Sequence, residues 1–355
     1  MGKQFWGILL MVLGIVALSL VVGSAESQAK DQMVFASWGG TYQDAIRTAW
    51  IKPFQEKFGV EVTEDTGPEM AKIKAMVDTN TVTWDIVTGG GFSLVEGMHK
   101  GFYEKLPADK VDQSKSYPQA RREYGAPSEI FSTLFAFSLK EFPDGKPQPK
   151  TWADFWDVKK FPGKRSFYSR RPACCLEIAL LADGVLPADV YKVLKTPAGI
   201  ERGFKKMEEL KPHVGVWWTS GAAPVQALGS GEVVMAMGWN GRFQGGIDQG
   251  LPIRQVWNGA VAQVGYFMAV KNAPHKETAF KFLNWIVSPE AQAEFHKYVA
   301  YGPTTPEAWK YIPKKEWEKL PSSPENLERS VFLDEAWWND NEGTMLERWQ
   351  ALLSK

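Results

Sequence analysis

Aromatic side chains are the groups in this sequence best suited to binding a small molecule. The 355 residues include 16 Trp, 10 Tyr and 20 Phe, against four His and two Cys. Indole rings are large, rigid and amphipathic, so they can enclose a flat or cationic ligand. Most of the tryptophans also suit the packing of a core. The excess therefore indicates a ligand site walled by a minority of these rings.

A glycine run after a predicted strand could hold an anion. Residues 88–91 read Thr-Gly-Gly-Gly and stand between a strand and a helix. Free backbone N–H groups at such a helix start attract negative charge. The run lacks the Lys and the Ser/Thr of a nucleotide-binding loop. It therefore predicts contact with an anion, through Gly90 and Gly91, without nucleotide chemistry.

Groupings that would support catalysis are absent from the sequence. It has no Gly-x-Ser-x-Gly nucleophile motif and no glycine pattern for dinucleotides. Its four histidines are scattered without metal-ligand spacing. Cys174 and Cys175 are neighbours, a separation at which a disulfide is strained. We predict no enzyme activity, no cofactor, no metal, and two buried cysteines with a structural role.

Charge and hydropathy limit the partners and the location of the chain. The 41 basic and 41 acidic residues give a formal net charge of +0, which disfavours nucleic-acid binding. Lys3 precedes an apolar run from Phe5 to Val22, and small residues follow at 23–25. This pattern predicts a cleaved signal peptide over residues 1–25, with Ala29 as a second candidate cleavage site and an uncleaved membrane anchor as the alternative. We predict a soluble periplasmic protein.

The rest of the chain alternates strand-like and helix-like segments. The predicted strands are 33–37, 60–63, 84–87, 233–237 and 266–270, and the predicted helices are 42–58, 69–78, 173–183 and 276–287. This alternation predicts an α/β fold of two lobes joined by more than one crossing, with a hinge and a ligand cleft. We predict residues 30–137 with 262–305 for lobe 1, and 138–261 with 306–355 for lobe 2.

Several short runs occur in an order that resembles a known family. They are Trp38-Gly39-Gly40-Thr41-Tyr42, Trp84-Asp85-Ile86-Val87, Gly238-Trp239-Asn240-Gly241, Ser288-Pro289-Glu290-Ala291-Gln292 and Ala300-Tyr301-Gly302-Pro303-Thr304. Together they resemble the spermidine/putrescine-type periplasmic solute-binding proteins of ABC importers. The resemblance implies a type II two-lobe clamp with a double-crossover hinge. Such a clamp closes on its ligand, delivers it to an inner-membrane ABC permease and catalyses no reaction. We expect a monomer.

This sequence has the aromatic residues that wall the ligand site of the polyamine binders, but it lacks the acidic residues of that site. Trp38, Trp239 and Tyr301 match aromatic positions, whereas Gly39-Gly40, residues 263–265 and Arg170-Arg171-Pro172 stand where polyamine binders place acidic groups. A buried ammonium without a carboxylate costs several kcal/mol. We therefore expect a cleft without negative charge, in which an arginine binds a carboxylate or phosphonate. The sequence leaves open whether Arg170, Arg171 or Arg242 faces the cleft.

The predicted ligand is a small carboxylate-bearing or amino-acid-like solute, such as 4-aminobutyrate. In each Trp-Trp pair on a strand only one ring can face the cleft, and we choose Trp218 and, from the resemblance, Trp338. The predicted contacts are Trp38, Gly39, Gly40, Thr41, Gly90, Gly91, Arg171, Trp218, Ser220, Trp239, Asn240, Arg242, Tyr301 and Trp338. Three alternatives stay open: a polyamine receptor of the same family, a periplasmic enzyme on the same scaffold, and a sensory module.

Overall fold

One mixed β-sheet runs through the computed structural model, which describes residues 31–354. Its strands are β1 (Gln32–Ser37), β2 (Glu61–Thr66), β3 (Ile86–Gly90), β4 (Ala126–Ser138), β5 (Arg165–Tyr168), β6 (Val214–Trp218), β7 (Met235–Trp239), β8 (Ile253–Ala269) and β9 (Val331–Phe332). Hydrogen bonds place them in the order β2-β1-β3-β8-β4-β7-β5-β6, with β9 beside β8. The predicted signal peptide, residues 1–25, lies outside the described residues.

Two long antiparallel strands, β4 and β8, connect the two halves of this sheet. Thr133 pairs with Val261, but Phe135 pairs with Val256, so β8 bulges between these points. Gly259 lies in the bulge with φ +73°, a conformation that favours glycine. On one side β3 pairs with β8, and on the other β7 pairs with β4. The predicted two-lobe α/β fold is therefore joined through two crossing strands.

Helices cover both faces of the sheet. They are α1 (Gly40–Ile46), α2 (Lys52–Phe58), α3 (Met70–Asp78), α4 (Gly91–His99), α5 (Trp152–Trp156), α6 (Cys175–Ala182), α7 (Val190–Leu194), α8 (Pro197–Leu210), α9 (Ala223–Ser230), α10 (Asn240–Asp248), α11 (Lys276–Ile286), α12 (Pro289–Phe295), α13 (Pro324–Glu328) and α14 (Glu335–Ser354). A π-helical turn at Arg47–Ile51 joins α1 to α2. Pro53 has no N–H to donate to the preceding turn, which favours this wider turn. Gly59 ends α2 with φ 68°, so this helix ends at residue 58, where the sequence predicted its end.

Each half of the sheet has apolar clusters on both of its faces. In β1, Phe35 and Ala36 are both fully buried but belong to different clusters. In β4, Phe137 and Ala136 are divided in the same way. Neighbouring residues of a strand point to opposite faces, so this division means that both faces are covered. The two halves thus have separate cores, which is what two lobes require.

The C-terminal segment touches both halves. Strand β9 pairs with β8 at Val261 and Ala262, next to the bulge. On α14, the Asn339 amide lies 3.2 Å from Nδ1 of His99 on α4, and the Trp349 indole donates 2.8 Å to the carbonyl of Ser169. Cys174 and Cys175 are buried and form no disulfide, in agreement with the sequence analysis. Within residues 31–354, no helix combines the length and the apolar character needed to cross a membrane.

Candidate ligand-binding cleft

The ends of several strands converge on a cleft of about 430 Å³, which we call the outer chamber. Trp38 follows β1, Gly90 ends β3 and Trp239 ends β7. Ligands of open α/β sheets bind at such carboxyl ends of strands. The full lining is Trp38, Gly39, Tyr42, Thr88, Gly89, Gly90, Glu129, Phe131, Arg170, Trp239, Arg242, Gly265 and Tyr301.

A second cavity of about 110 Å³, the inner chamber, lies beside the outer chamber. Trp239 lines both cavities. The full lining of the inner chamber is Phe92, Thr133, Tyr168, Arg171, Ala173, Cys174, Trp218, Met237, Trp239 and Gln263. Trp218 ends β6 and meets the Trp239 ring edge-on, with ring centroids 5.5 Å apart. The two chambers therefore share a wall made of one indole ring.

The structure brings together part of the predicted set. Trp38, Gly39, Gly90, Trp239, Arg242 and Tyr301 line the outer chamber, and Arg171 and Trp218 line the inner chamber. Among the predicted contacts, the residues that line neither chamber are Gly40, Thr41, Gly91, Ser220, Asn240 and Trp338. Gly40 and Thr41 lie in the first turn of α1, and Ser220 is exposed beyond β6.

The remaining three are engaged by the protein itself. The Asn240 side chain accepts from the Ser132 N–H at 2.9 Å and donates to the Ala300 carbonyl. Trp338 is fully buried, and its indole donates to Glu177. A Cβ on Gly91 would lie 2.5 Å from the carboxyl carbon of Glu335, so a carboxylate of the chain already occupies that side of the glycine run.

A buried acid lines the outer chamber, and the expectation of a cleft without negative charge is therefore wrong. Glu129, near the start of β4, is 3 % exposed, and its Oε1 accepts a hydrogen bond of 2.7 Å from the Tyr42 phenol. Its Oε2 has no hydrogen-bond partner within residues 31–354. Burial raises the pKa of Glu129 to about 7. The cleft is thus lined by a buried carboxyl group that has one oxygen without a hydrogen-bond partner within the described residues.

The glycine opposite Glu129 makes room for this carboxyl group. Gly265 of β8 pairs with Glu129 across the sheet, and a Cβ on Gly265 would lie 2.2 Å from Oε1. Residues 263–265 lack the acidic group that polyamine binders place there. Gly265 instead leaves room for the carboxyl group of Glu129, which comes from the neighbouring strand β4. The available signal was a single charged residue, Glu129, in an otherwise uncharged run over 125–138.

Two arginines of the outer chamber have no acidic partner. Arg170 and Arg242 both line it, and within the described chain no carboxylate oxygen lies within 4.0 Å of either guanidinium. Arg171 differs, since its guanidinium lies 3.5 Å from the Glu342 carboxylate and stacks 4.1 Å from the centre of the Phe92 ring. The sequence left open which arginine faces the cleft, and the outer chamber contains Arg170 and Arg242.

Tyr301 lies between the two kinds of charge. Burial raises the pKa of its phenol to about 12, with Arg242 opposing this shift and Glu129 adding to it. Its ring packs against Gly241, where a Cβ would lie 2.6 Å from the ring, and contacts Phe131. The outer chamber therefore has aromatic walls with both acidic and basic groups in its lining. Across residues 31–354, no group of His, Cys, Asp and Glu side chains is placed to hold a metal ion.

Comparisons with known proteins agree with this geometry. A γ-aminobutyric acid-binding protein of Pseudomonas aeruginosa is 37 % identical over 331 residues, which cover 92 % of this chain and 93 % of that protein. A spermidine/putrescine-binding periplasmic protein of Salmonella typhimurium is 21 % identical over 80 % of this chain and 81 % of its own length.

A crystal structure of an ABC transporter substrate-binding protein from Bradyrhizobium japonicum superimposes with a TM-score of 0.85. It is 37 % identical, and the match covers 91 % of this chain and 100 % of that one. The family model of bacterial extracellular solute-binding proteins matches residues 49–324. Solute-binding proteins bind small molecules and are not enzymes. With most of its length matched by the family model and the fold shared over nine-tenths of the chain, this protein belongs to the bacterial extracellular solute-binding proteins of ABC transporters.

Proposed function

We propose that this protein captures a small amino acid with separated amino and carboxylate groups, such as 4-aminobutyrate, and delivers it to an ABC permease. The observation that carries the proposal is that Glu129 and two arginines line the same chamber without forming an ion pair with one another. Glu129 offers a buried oxygen without a partner, and Arg170 and Arg242 offer guanidinium groups without acids. The ammonium group of the ligand would form an ion pair with the Glu129 carboxylate. The carboxylate of the ligand would accept two parallel hydrogen bonds from an arginine guanidinium.

The chamber also suits the carbon chain between these two groups. Trp38, Trp239 and Tyr301 present aromatic surface on which methylene groups can pack. The name of the Pseudomonas relative supports the same class of ligand. A polyamine fits less well, because its two or more ammonium groups each need a carboxylate. Glu129 is the single acid in the described lining of the outer chamber, and two arginines there would repel a polycation.

Ligand capture then follows from the position of these groups. Glu129 lies in the predicted lobe 1, residues 30–137 with 262–305, and Arg242 lies in the predicted lobe 2, residues 138–261 with 306–355. A ligand that touches both lobes favours the closed form over the open one. The hinge in this proposal is the pair β4 and β8 near the bulge at Gly259. Closure would present the loaded clamp to the permease.

Location and assembly complete the proposal. Export by a cleaved signal peptide over residues 1–25 would place the mature protein in the periplasm. The name of the Salmonella relative, a spermidine/putrescine-binding periplasmic protein, supports this location. We propose that it acts there as a monomer and turns over no substrate. The chambers contain no histidine in their described linings, so they offer no imidazole base for a nucleophile.

The test is isothermal calorimetry on the mature chain with 4-aminobutyrate, the α-amino acids, putrescine and spermidine. We expect saturable binding of 4-aminobutyrate and weaker binding of both polyamines. Thermal unfolding provides an independent reading, since a ligand at about a hundred times its Kd adds about 2.7 kcal/mol to the free energy of unfolding. Tight binding of spermidine without a response to any amino acid would contradict the proposal.

A further inference from the structure

We propose that Trp239 sets the length of the ligand by closing the inner chamber. This inference rests on the proposed function, because it concerns the same cleft and the same class of ligand. Trp239 is the side chain that both chambers share. A ligand held in the outer chamber would meet the indole at that end, and a longer one would need the space behind it.

The indole of Trp239 is fixed in its position. Its ring meets the Trp218 ring at an interplanar angle of 85°. On another side it presses against Gly221, where an added Cβ would lie 2.4 Å from a ring carbon. A side chain confined by an edge-on indole and by backbone has little freedom to turn aside. Trp239 therefore acts as a wall, since opening the inner chamber requires removal of the ring.

The inner chamber is built to take an oxygen acceptor. Trp218 is 2 % exposed, and its indole N–H has no acceptor within residues 31–354. A buried donor without a partner is unfavourable, so an oxygen acceptor that reaches it would be favoured there. Of the other donors, the Gln263 amide donates to Thr133 at 2.9 Å, and Arg171 forms an ion pair of 3.5 Å with Glu342. Within the described residues, the Trp218 N–H is thus the buried polar atom of this lining that has no hydrogen-bond partner.

The size of the inner chamber fits the end of a chain. Its volume of about 110 Å³ is about a quarter of the 430 Å³ of the outer chamber and exceeds what one buried water needs. That space would hold a carboxylate with part of its carbon chain. The ligand class that could use it is a longer ω-amino acid, with its ammonium at Glu129 and its carboxylate beside Trp218.

The experiment measures Kd by calorimetry for the series from 3-aminopropanoate to 6-aminohexanoate and for the diamines of matching length. We expect the wild-type protein to prefer the short members. In Trp239→Ala, the ratio of affinities for long over short members should rise by about ten-fold or more, the size of effect that one methylene produces in a pocket. Trp239→Phe retains a ring, so its affinity ratio should lie between those of the wild type and Trp239→Ala.

Two further variants separate this inference from a general weakening of the site. Trp38→Ala removes an exposed ring that lines the outer chamber alone, so it should lower affinity without changing the length order. In the double variant Trp239→Ala with Trp218→Phe, most of the increase in affinity for the long amino acids should be lost, because the indole N–H of Trp218 is removed. Thermal unfolding of each variant checks that it is folded.

The outcomes distinguish the two proposals. If the wild type binds ω-amino acids and Trp239→Ala leaves their length order unchanged, the role of Trp239 is refuted while the proposed function stands. If the wild type binds diamines alone, the proposed function fails, and the change of length order in the diamine series decides the role of Trp239. A wild type that binds neither series overturns both.

Discussion

The Tyr42 phenol donates a hydrogen bond of 2.7 Å to Oε1 of Glu129, and Oε2 of the same carboxyl group has no partner within residues 31–354. Tyr42 lies on α1, just after β1, and Glu129 lies near the start of β4. The bond therefore links two elements far apart in sequence. It orients the carboxyl group and leaves one oxygen for a ligand, which is the arrangement that an ammonium requires.

Glu129→Gln should weaken binding of 4-aminobutyrate by about a hundred-fold, because removing one partner of a buried charge pair costs about 2–5 kcal/mol. Calorimetry on the folded variant measures the loss. The matched control is Glu177→Gln, since Glu177 is also fully buried with a pKa raised to about 7 but lines neither chamber. The control should bind within about two-fold of wild type. Equal losses in both variants would remove Glu129 from the site.

Affinity should also depend on pH through Glu129. Burial raises its pKa to about 7 in the ligand-free protein, and an ammonium binds the ionised carboxylate. Affinity should therefore rise as pH increases to about 7 and level off above it. Below that pKa, each pH unit costs about ten-fold in Kd, because the site must first lose a proton. Titrations at about pH 5.5 and pH 8.5 measure this difference, and Glu129→Gln should abolish it. A flat wild-type profile would contradict the assignment.

The arginines should differ in their effect on binding. Arg242→Ala and Arg170→Ala each remove a guanidinium without an acidic partner, so we expect a loss of about ten-fold or more for 4-aminobutyrate. Arg171→Ala should cost less than about three-fold, because its charge is already balanced by Glu342. Butylamine, which lacks the carboxylate, serves as the matched probe, since its affinity should not fall in Arg242→Ala. A larger loss in Arg171→Ala than in the other two would reverse the assignment.

Local patterns predicted the elements that lie at the edges of the cleft. The spacing of Ile46, Trp50 and Phe54 predicted one helix over 42–58, and all three side chains are buried along α1, the π-helical turn and α2. Alternation along β6 predicted that only one ring of Trp217 and Trp218 faces the cleft, and Trp218 lines the inner chamber whereas Trp217 packs on Trp349. The period of the backbone predicts that the two rings diverge, but the choice between them was not contained in that period.

Non-local pairing accounts for what the sequence analysis missed. Strand β4 was not assigned, and β8 was predicted over 266–270 although it spans Ile253–Ala269. Both strands are buried between neighbours, so they lack a clear alternation of apolar and polar residues. Glu129 reaches the chamber because Gly265 of β8 lies opposite it, a register that no local pattern contains. Glu129 could therefore be placed in the site only once the pairing of β4 with β8 was known.

Stability should fall as pH rises through the range in which the buried acids ionise. Burial raises the pKa of Glu177 to about 7, from an ordinary value of 4.5. Between these values the folded state binds more protons than the unfolded state, so the free energy of unfolding decreases with rising pH. Thermal unfolding at about pH 5 and pH 8 should show this decrease, and Glu177→Gln should reduce it. A variant with the wild-type slope would show that Glu177 is ionised in the folded protein at both pH values.

Trp338→Phe should lower stability without changing ligand affinity. The resemblance predicted a ligand contact for Trp338, but its indole is fully buried and donates to Oε1 of Glu177, which also accepts from the Tyr191 phenol at 2.6 Å. Removing one donor to a buried acid costs about 1–3 kcal/mol of unfolding free energy, and Tyr191 keeps the carboxyl group in place. Chemical unfolding measures this cost, and calorimetry should give a Kd within about two-fold of wild type. If Trp338→Phe instead weakens ligand binding more than Trp38→Ala does, the closed and loaded protein must bring Trp338 into the cleft, and the ligand site would extend beyond the two chambers.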